Sequence, residues 1–272
     1  MKTLQDYLEE QYTGESIQSY LIGINKYLRY TKNPEQAQKK EILHYIQTLR
    51  KQGNSPKTLQ SRLAHIKAYY HYLQQAGKRK DHPCKDLQLK DKIDKSIKTE
   101  LLYTEKQLKD YLEQTPKHKK LMVSLLVYQA LTIQEIANLK PKDIEIQKAE
   151  IYLKTRTIKL KAEQIYLVTE HYKLFKENRN YVFEHSRKPG HKLRAKGINH
   201  YINFKRQEKY TPIKIRQSVI KNLLNKHDLR KVQVFSGHKK SSITQQYQTT
   251  NLEQLKNEIE NLHPLNKVSQ TN

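Results

Sequence analysis

Apolar residues in the first third of the chain recur at the three- and four-residue spacing that places side chains on one face of a helix. Turn-forming residues separate these stretches at Pro34, Gly53 and Gly77. Ser55 followed by Pro56 is typical of a helix start, because serine caps the first turn and proline fits its first position. The apolar stripes are Ile17, Tyr20, Leu21, Ile24, Tyr27 and Leu28, then Ile42, Tyr45, Ile46 and Leu49, then Leu59, Leu63, Ile66, Tyr69, Tyr70 and Leu73. They predict a small bundle of three or four helices.

The periodicity is lost over residues 78–99, which include a lysine-rich run at 90–95. A segment without an apolar face has nothing to bury against a core and is typical of a linker. We therefore expect a helical domain over residues 1–90, a linker over 91–100 and a second domain over 101–272.

The second part of the chain begins with helical patterns and then changes its period. Thr104-Glu105 indicates a capped helix start, and residues 119–130 and 132–139 continue at helical spacing. Alternation at spacing two follows, at Ile144, Ile146, Ile151, Leu153, Ile158, Leu160, Ile165 and Leu167. Helical patterns return at 169–178, 196–207, 214–226, 229–235 and 252–262. Because alternation is typical of half-buried strands, the predicted fold is mainly α with a small antiparallel sheet.

Charge points to the class of partner. The chain has 52 Lys and Arg against 27 Asp and Glu, a formal charge of +25, and the basic residues are spread along its whole length. Pairing within the molecule cannot neutralise such a surplus, so a polyanion is the expected partner, and an extended basic track favours nucleic acid over a membrane patch. The alternative is an ordinary solvated surface in a lysine-rich protein.

Several classes of site are excluded by composition. A single cysteine, Cys84, rules out an intramolecular disulfide framework and a cysteine-cluster zinc site, and the 12 histidines are scattered without a ligand-like cluster. We therefore expect no metal and no cofactor. The first residues lack an apolar targeting segment, and no window approaches the ~20 apolar residues of a membrane span. These features predict a soluble, cytoplasmic protein with no membrane partner.

The segment from Thr211 to Tyr247 carries the candidate chemistry. Arg216 is followed 22 residues later by His238, which comes after Gly237, and a further nine residues on by Tyr247. The flanking residues are Thr211-Pro212 before the arginine, Asp228-Leu229-Arg230-Lys231-Val232-Gln233 before the glycine, and Thr244 before the tyrosine. This arrangement resembles the catalytic boxes of the tyrosine recombinases, or phage integrases, and the chain is identified as a divergent member of that family.

The resemblance implies a fold, a reaction and a partner. The fold would be a helical, SAM-like core-binding domain followed by an α/β catalytic domain. The reaction would be site-specific DNA recombination or integration, in which a tyrosine hydroxyl attacks the scissile phosphodiester and forms a 3′-phosphotyrosyl intermediate without ATP or metal. The partner would be double-stranded DNA, on which the protein would assemble as a homo-oligomer, a tetramer.

The resemblance also assigns roles to individual residues. Tyr247 would be the nucleophile, and Arg216 and His238 would donate to the phosphate, since a planar guanidinium can stabilise the charge of the transition state with two hydrogen bonds. Lys159, on the predicted strand hairpin, would be the general acid for the leaving oxygen. Lys154 and Lys161 are alternatives for this role, because the register of the hairpin decides which face each lysine occupies.

Two positions depart from the family pattern. Residues 125–139 resemble the first catalytic box, but Thr132 stands where the family has arginine, although Glu135 matches; Ile213 stands where the family has histidine. Arg156 on the hairpin is a candidate substitute for the missing arginine, or else a strand residue that touches DNA backbone. Two functions therefore stay open, an active recombinase of a mobile element and a catalytically impaired DNA-binding relative acting as a regulator or as a subunit of a mixed complex.

The last predicted helix has a separate expected role. Leu252, Leu255, Ile259 and Leu262 form an apolar stripe. The resemblance implies that this helix packs on a neighbouring protomer, and the alternative is that it covers its own domain.

Overall fold

The computed structural model describes residues 2–94, 97–174, 179–185 and 187–248, apart from the side chain at position 15. The chain divides into two compact units, Met1–Lys95 and Ser96–Asn272. The C-terminal helix predicted at 252–262 lies outside the described residues.

Helices in the first unit follow the apolar stripes of the sequence. They are α1 Leu4–Gln11, α2 Gly14–Tyr30, α3 Lys39–Lys51 and α4 Pro56–Gln75. Ser55 caps α4 by accepting from the Thr58 amide at 3.3 Å, with Pro56 at the first helical position. Tyr27 and Tyr70 are fully buried between α2 and α4, and their hydroxyl groups hydrogen-bond to each other at 2.7 Å. The core of this unit is therefore rich in tyrosine, with the polar ends of the rings paired.

A close approach of α2 and α4 depends on one glycine. The imidazole of His65 on α4 is buried, with its Nδ1 unpartnered among the described residues. A methyl group at Gly23 on α2 would overlap that ring. Burial lowers the pKa of His65 to about 4, and the nearby Arg62 charge adds to this shift. The helix pair is thus built around a neutral histidine.

The second unit surrounds helix α6, Lys117–Gln129, whose residues 121–127 are all buried and which packs against four other helices. Its helices are α5 Glu105–Glu113, α6 Lys117–Gln129, α7 Ile133–Asn138, α8 Ala162–Lys173, α9 Ala195–Asn203, α10 Pro212–Leu224, α11 Leu229–Ser236 and α12 Ser241–Gln245, with short 3-10 turns at Thr99–Leu101 and Pro141–Asp143. Because α6 is covered on all sides, the elements on its flanks, α7, α8 and α10, are held in fixed positions.

Two small antiparallel sheets complete this unit. The first joins β1 Ile144–Glu145, β2 Glu150–Tyr152 and β3 Thr157–Lys159, with Ile151 opposite both Ile144 and Ile158. The second pairs β4 Glu184–His185 with β5 Lys188–Lys192. The predicted fold class, mainly α with a small antiparallel sheet, is confirmed.

One predicted strand is wrong, because Ile165 and Leu167 lie in α8. The most buried positions of this helix are Gln164 and Val168, which are spaced by four residues. A polar residue in the core position concealed the helical period and left the alternating isoleucine and leucine as the visible signal. Gln164 is buried because its amide forms a reciprocal pair with the Gln129 amide, at 2.6 and 2.8 Å.

Among the described residues, no helix combines the length and the apolar character that crossing a membrane requires.

Candidate active site

Arg216 lies on α10, directed towards the interior of the second unit. Thr211 caps the helix by accepting from the Lys214 amide, and Pro212 occupies the first position. The Arg216 guanidinium donates to the carbonyl oxygen of Ala130 and, at 2.6 Å, to that of Ser236. Burial lowers the pKa of Arg216, and the neighbouring Arg156 charge lowers it further. Two carbonyl groups therefore hold a half-buried cation in one orientation.

His238 follows the turn that ends α11. Gly237 has a φ of 70°, which an L side chain rarely adopts, and so it reverses the chain directly before the histidine. The side-chain amide of Gln233 donates to the backbone carbonyl of His238 at 3.0 Å. The backbone N–H of His238 donates to the backbone carbonyl of Gln233 at 3.2 Å. The imidazole Nδ1 lies 2.9 Å from the hydroxyl of Thr244. Backbone and ring are thus both fixed by hydrogen bonds.

Tyr247 stacks on this histidine. The two ring centroids are 6.1 Å apart with an interplanar angle of 15°. The tyrosine is 8% exposed and belongs to a small apolar cluster with Ile220 and Val232. Burial raises the pKa of Tyr247, whereas the Arg216 charge and a hydrogen bond from the side chain of Gln217 act in the opposite direction.

Arg156 joins the same group of residues from the β2–β3 hairpin. Its side chain is 4% exposed and forms an ion pair with Glu135 of α7, donating from Nη1 and Nη2. The guanidinium lies against Gly237, where an added methyl group would be 2.5 Å from Nη1. The charges of Arg216 and Arg156, after burial, account for the low pKa of His238, about 4. Two arginines, one histidine and one tyrosine are therefore gathered around the Gly237 turn.

Thr132, at the position where the sequence resemblance predicts an arginine, caps a helix. Its hydroxyl accepts from the Glu135 amide at 3.1 Å, and the Glu135 carboxylate accepts from the Thr132 amide at 2.7 Å. This reciprocal pair is a capping box at the start of α7. The same carboxylate holds Arg156. The Thr-x-x-Glu spacing of the sequence is a known helix-start pattern and could have revealed this cap.

The three candidate lysines occupy different surroundings. Lys159 on β3 is 75% exposed and its ammonium pairs with Glu150 at 2.7 Å, which lowers the pKa of that carboxyl. Lys161 places its ammonium 3.7 Å from the centroid of the Tyr128 ring. Lys154 is exposed in the four-residue loop between β2 and β3, next to Thr155, whose hydroxyl faces Gly237. Of the three, only Lys154 adjoins residues that contact the Gly237 turn, as judged within the described chain.

Ile213, at the other departing position, lies on the first turn of α10 and is 64% exposed, with no polar group to offer a phosphate. The described residues contain no group of three or more His, Cys, Asp or Glu side chains placed to hold a metal ion. The polar chemistry of this site is therefore that of cations, an imidazole and a phenol.

The fold and this arrangement define a class. Residues 101–254 match the family model described as phage integrase family, and residues 1–77 match the phage integrase N-terminal SAM-like domain. The chain therefore belongs to the phage integrase family, the tyrosine recombinases.

Individual relatives match over nearly the full chain. Tyrosine recombinase XerA of Pyrococcus furiosus is 27% identical over 279 aligned positions, covering 96% of this chain and 93% of the relative. Among solved structures, the Tn1549 transposon integrase in complex with transposon right end DNA superposes with a TM-score of 0.67 at 17% identity, covering 96% of this chain and 99% of that one. The XerH site-specific recombinase bound to its difH substrate superposes with a TM-score of 0.63 at 18% identity, covering 90% and 79%.

Proposed function

We propose that this protein is a site-specific DNA recombinase that breaks and rejoins double-stranded DNA through a 3′-phosphotyrosyl intermediate formed on Tyr247. The observation that carries the proposal is the convergence of Arg216, Arg156, His238 and Tyr247 around the Gly237 turn. The cations can stabilise the negative charge of a phosphodiester while the nucleophile attacks its phosphorus.

The proposed reaction exchanges one ester for another. Attack of the Tyr247 oxygen on phosphorus, with the phenol proton passing to water, forms the phosphotyrosyl bond and breaks the bond to the 5′ oxygen, which leaves with a proton from a general acid. The energy of the broken bond is kept in the new ester, so rejoining needs no ATP. Arg216 and His238 stabilise the charge on the non-bridging oxygens of the transition state.

Arg156 takes the place of the arginine missing at Thr132. Its guanidinium lies against the turn that carries His238, and its charge is felt by both His238 and Arg216. The Arg156 charge lowers the pKa of Arg216, so an anion bound beside the two guanidinium groups would be favourable, and a phosphate is such an anion. Glu135 positions Arg156 with its Nη1 next to Gly237.

Lys154 is our candidate for the general acid in preference to Lys159. The Lys159 ammonium, on β3, is paired with Glu150 and would have to leave that carboxylate before donating a proton elsewhere. Lys154 lies one residue from Thr155 and two from Arg156, at the hairpin tip that meets the Gly237 turn. A flexible lysine stem spans that short distance.

The partner we propose is double-stranded DNA, on which several copies, four in the full complex, assemble for strand exchange in the cytoplasm. The Tn1549 transposon integrase and the XerH recombinase are each in a complex with DNA in their solved structures. The formal charge of +25 supports the same partner.

The test is covalent trapping on a nicked suicide substrate that carries the cognate site. The 5′ fragment diffuses away after cleavage, so the protein–DNA adduct accumulates. We expect Tyr247→Phe to abolish the adduct and Arg156→Ala and Arg216→Ala each to slow its formation by about 10²-fold or more, the usual effect of losing one preorganised donor.

DNA affinity is the internal control, since Tyr247→Phe removes only a hydroxyl group and should leave binding unchanged. If the wild type binds its site but yields no adduct on any substrate, the protein is instead a non-catalytic DNA-binding relative, as the loss of histidine at Ile213 would favour. If Arg156→Ala has no effect while Arg216→Ala does, the hairpin arginine is not a phosphate ligand.

A further inference from the structure

The hydroxyl of Thr244 is placed to control the proton of His238. Thr244 is fully buried on α12, and its Oγ1 lies 2.9 Å from the imidazole Nδ1. Within the described part of the chain, the hydrogen bonds of the His238 ring are confined to this nitrogen. The other ring nitrogen, Nε2, is therefore the one available to a substrate.

A neutral imidazole has one proton for two nitrogens, and its hydrogen-bond partners decide where the proton resides. A hydroxyl can donate or accept, so the Thr244 contact is compatible with either tautomer. Donation from Thr244 to Nδ1 leaves the ring proton on Nε2, and acceptance would leave Nε2 as a bare lone pair. Only the first arrangement gives a phosphate a hydrogen-bond donor.

The surroundings favour the first arrangement. The ring lies beside the Arg216 and Arg156 guanidinium groups, where a bound anion would be surrounded by donors. A lone pair on Nε2 would face that anion and repel it. An imidazole nitrogen is also a stronger acceptor than a threonine oxygen, so the O–H to N direction is the stronger hydrogen bond.

We propose that Thr244 is a positioning residue that donates its hydroxyl proton to Nδ1 and thereby holds His238 as the Nε2–H tautomer, ready to donate to the scissile phosphate. This inference rests on the proposed function for its consequence in catalysis, but the tautomer itself is a property of the free protein. The two can therefore be tested separately.

The first measurement is the tautomer of His238 by nitrogen-15 NMR of histidine-labelled protein at neutral pH, with the signal assigned by its loss in His238→Gln. In the wild type we expect the proton on Nε2. Thr244→Val keeps the shape and burial of the side chain but removes the hydroxyl, and it should give a mixture of tautomers. Thr244→Ser should restore the wild-type spectrum. A proton on Nδ1 in the wild type, or an unchanged spectrum in Thr244→Val, would overturn the proposal.

The second measurement is the rate of adduct formation on the nicked substrate. Thr244→Val should lower the rate about tenfold, the worth of one hydrogen bond, and Thr244→Ser should recover it. In a His238→Ala background Thr244→Val should have no further effect, because its action passes through the histidine.

The outcomes are distinguishable. A wild type that forms no adduct but shows the Nε2–H tautomer contradicts the proposed function and leaves the Thr244 assignment intact. An equal loss of rate from Thr244→Val with and without His238 shows that Thr244 only stabilises the fold, and so does a matching loss in Thr244→Ser. Thermal melting of each variant identifies a folding defect directly.

Discussion

At the scale of single residues, one carboxylate links helix formation to the candidate site. Glu135 accepts the amide of Thr132 and the guanidinium of Arg156 at the same time. The Arg156 side chain of this ion pair is almost fully buried, with 4% of it exposed. Removing the carboxylate would leave a buried cation without its partner, which typically costs more than the pair itself contributes. The position of Arg156 is therefore determined by a residue on another element.

The assignment of the general acid gives a prediction about Lys154. A 5′-bridging phosphorothiolate substrate has a sulfur leaving group, which departs without a proton because a thiol is far more acidic than an alcohol. Lys154→Ala should slow adduct formation on the ordinary substrate by about 10²-fold. The sulfur substrate should remove most of that defect.

Lys159→Ala is the matched control, since it removes an ammonium from the same hairpin. It should behave as the wild type on both substrates. A defect in Lys159→Ala that sulfur rescues, with none in Lys154→Ala, would return the role to Lys159.

At the scale of elements, buried amides place the hairpin that carries Arg156. The Gln129 side chain, at the end of α6, donates to the Lys159 carbonyl at 3.2 Å and pairs with Gln164 of α8. The Gln164 amide also donates to the Ser124 hydroxyl at 3.1 Å. This network joins α6, α8 and β3 in the core, where every polar group needs a partner. The same α6 terminus supplies the Ala130 carbonyl that holds Arg216.

Elements with a clear apolar period could be predicted from the sequence. The stripes gave α2, α3 and α4 and the β1–β3 meander, because burial of one face leaves a regular trace. The first part of α8 was concealed by Gln164, whose burial depends on a partner distant in sequence. The β4–β5 pair was not predicted, since Lys188–Lys192 contains proline, glycine and charges rather than β-branched residues.

The candidate site could be predicted from the sequence only in part, because some of its contacts depend on how separate elements pack. The spacing from Arg216 to Tyr247 suggested which residues belong together, and Arg156 was a candidate by its place on the hairpin. The carbonyl groups that hold Arg216 and the ion pair of Arg156 with Glu135 could not be read from the sequence, because they depend on how separate elements pack.

The α2–α4 pair predicts a dependence of stability on pH. His65 has a pKa of about 4 in the fold against an ordinary 6.5. The folded state therefore binds fewer protons than the unfolded state between these values. The contribution of His65 to the free energy of unfolding is complete above pH 6.5 and is lost as the pH falls towards 4. The protection factors of α2 and α4 amides, corrected for the pH dependence of intrinsic hydrogen exchange, should fall over this range.

His65→Leu removes the titrating group, so the same amides should lose most of this pH dependence. Histidines in the second unit, His238 among them, still titrate in the variant, and amides of α10 serve as the reference. An acid response of α2 and α4 that is equal in the wild type and in His65→Leu would contradict the assignment.

At the scale of the whole molecule, positive charge dominates the interaction with a partner. The cleft between β5 and α9 is lined by His185, Lys188, His191, Lys192, Leu193, Arg194, Lys196, Gly197 and His200, and no carboxylate is among these described residues. A surface of one sign attracts a polyanion and releases its counterions. This cleft is one part of the surface that we expect to follow the DNA backbone.

DNA affinity should therefore fall linearly on a log–log plot against salt, by about 10³-fold or more between roughly 50 and 200 mM. Lys196→Gln should reduce the slope by about one phosphate contact. Lys109→Gln is the control, because Lys109 is exposed on α5 and paired with Glu113 at 3.7 Å. Filter binding or fluorescence anisotropy over a salt series measures both. A flat salt dependence would contradict the role of charge.

The cap at Thr132 also bears on how such a site could have changed over time. An arginine at that position would lose the capping hydroxyl and bring a second guanidinium towards the Glu135 carboxylate that now holds Arg156. The arginine that the family pattern places at position 132 and the hairpin arginine proposed for this chain would therefore be competing solutions. A lineage passing from one to the other must cross a state with both arginines or with neither. Under the role proposed for Arg156, only the state with both keeps a second cation for the phosphate, so we expect that Arg156 was acquired before an arginine at position 132 was lost.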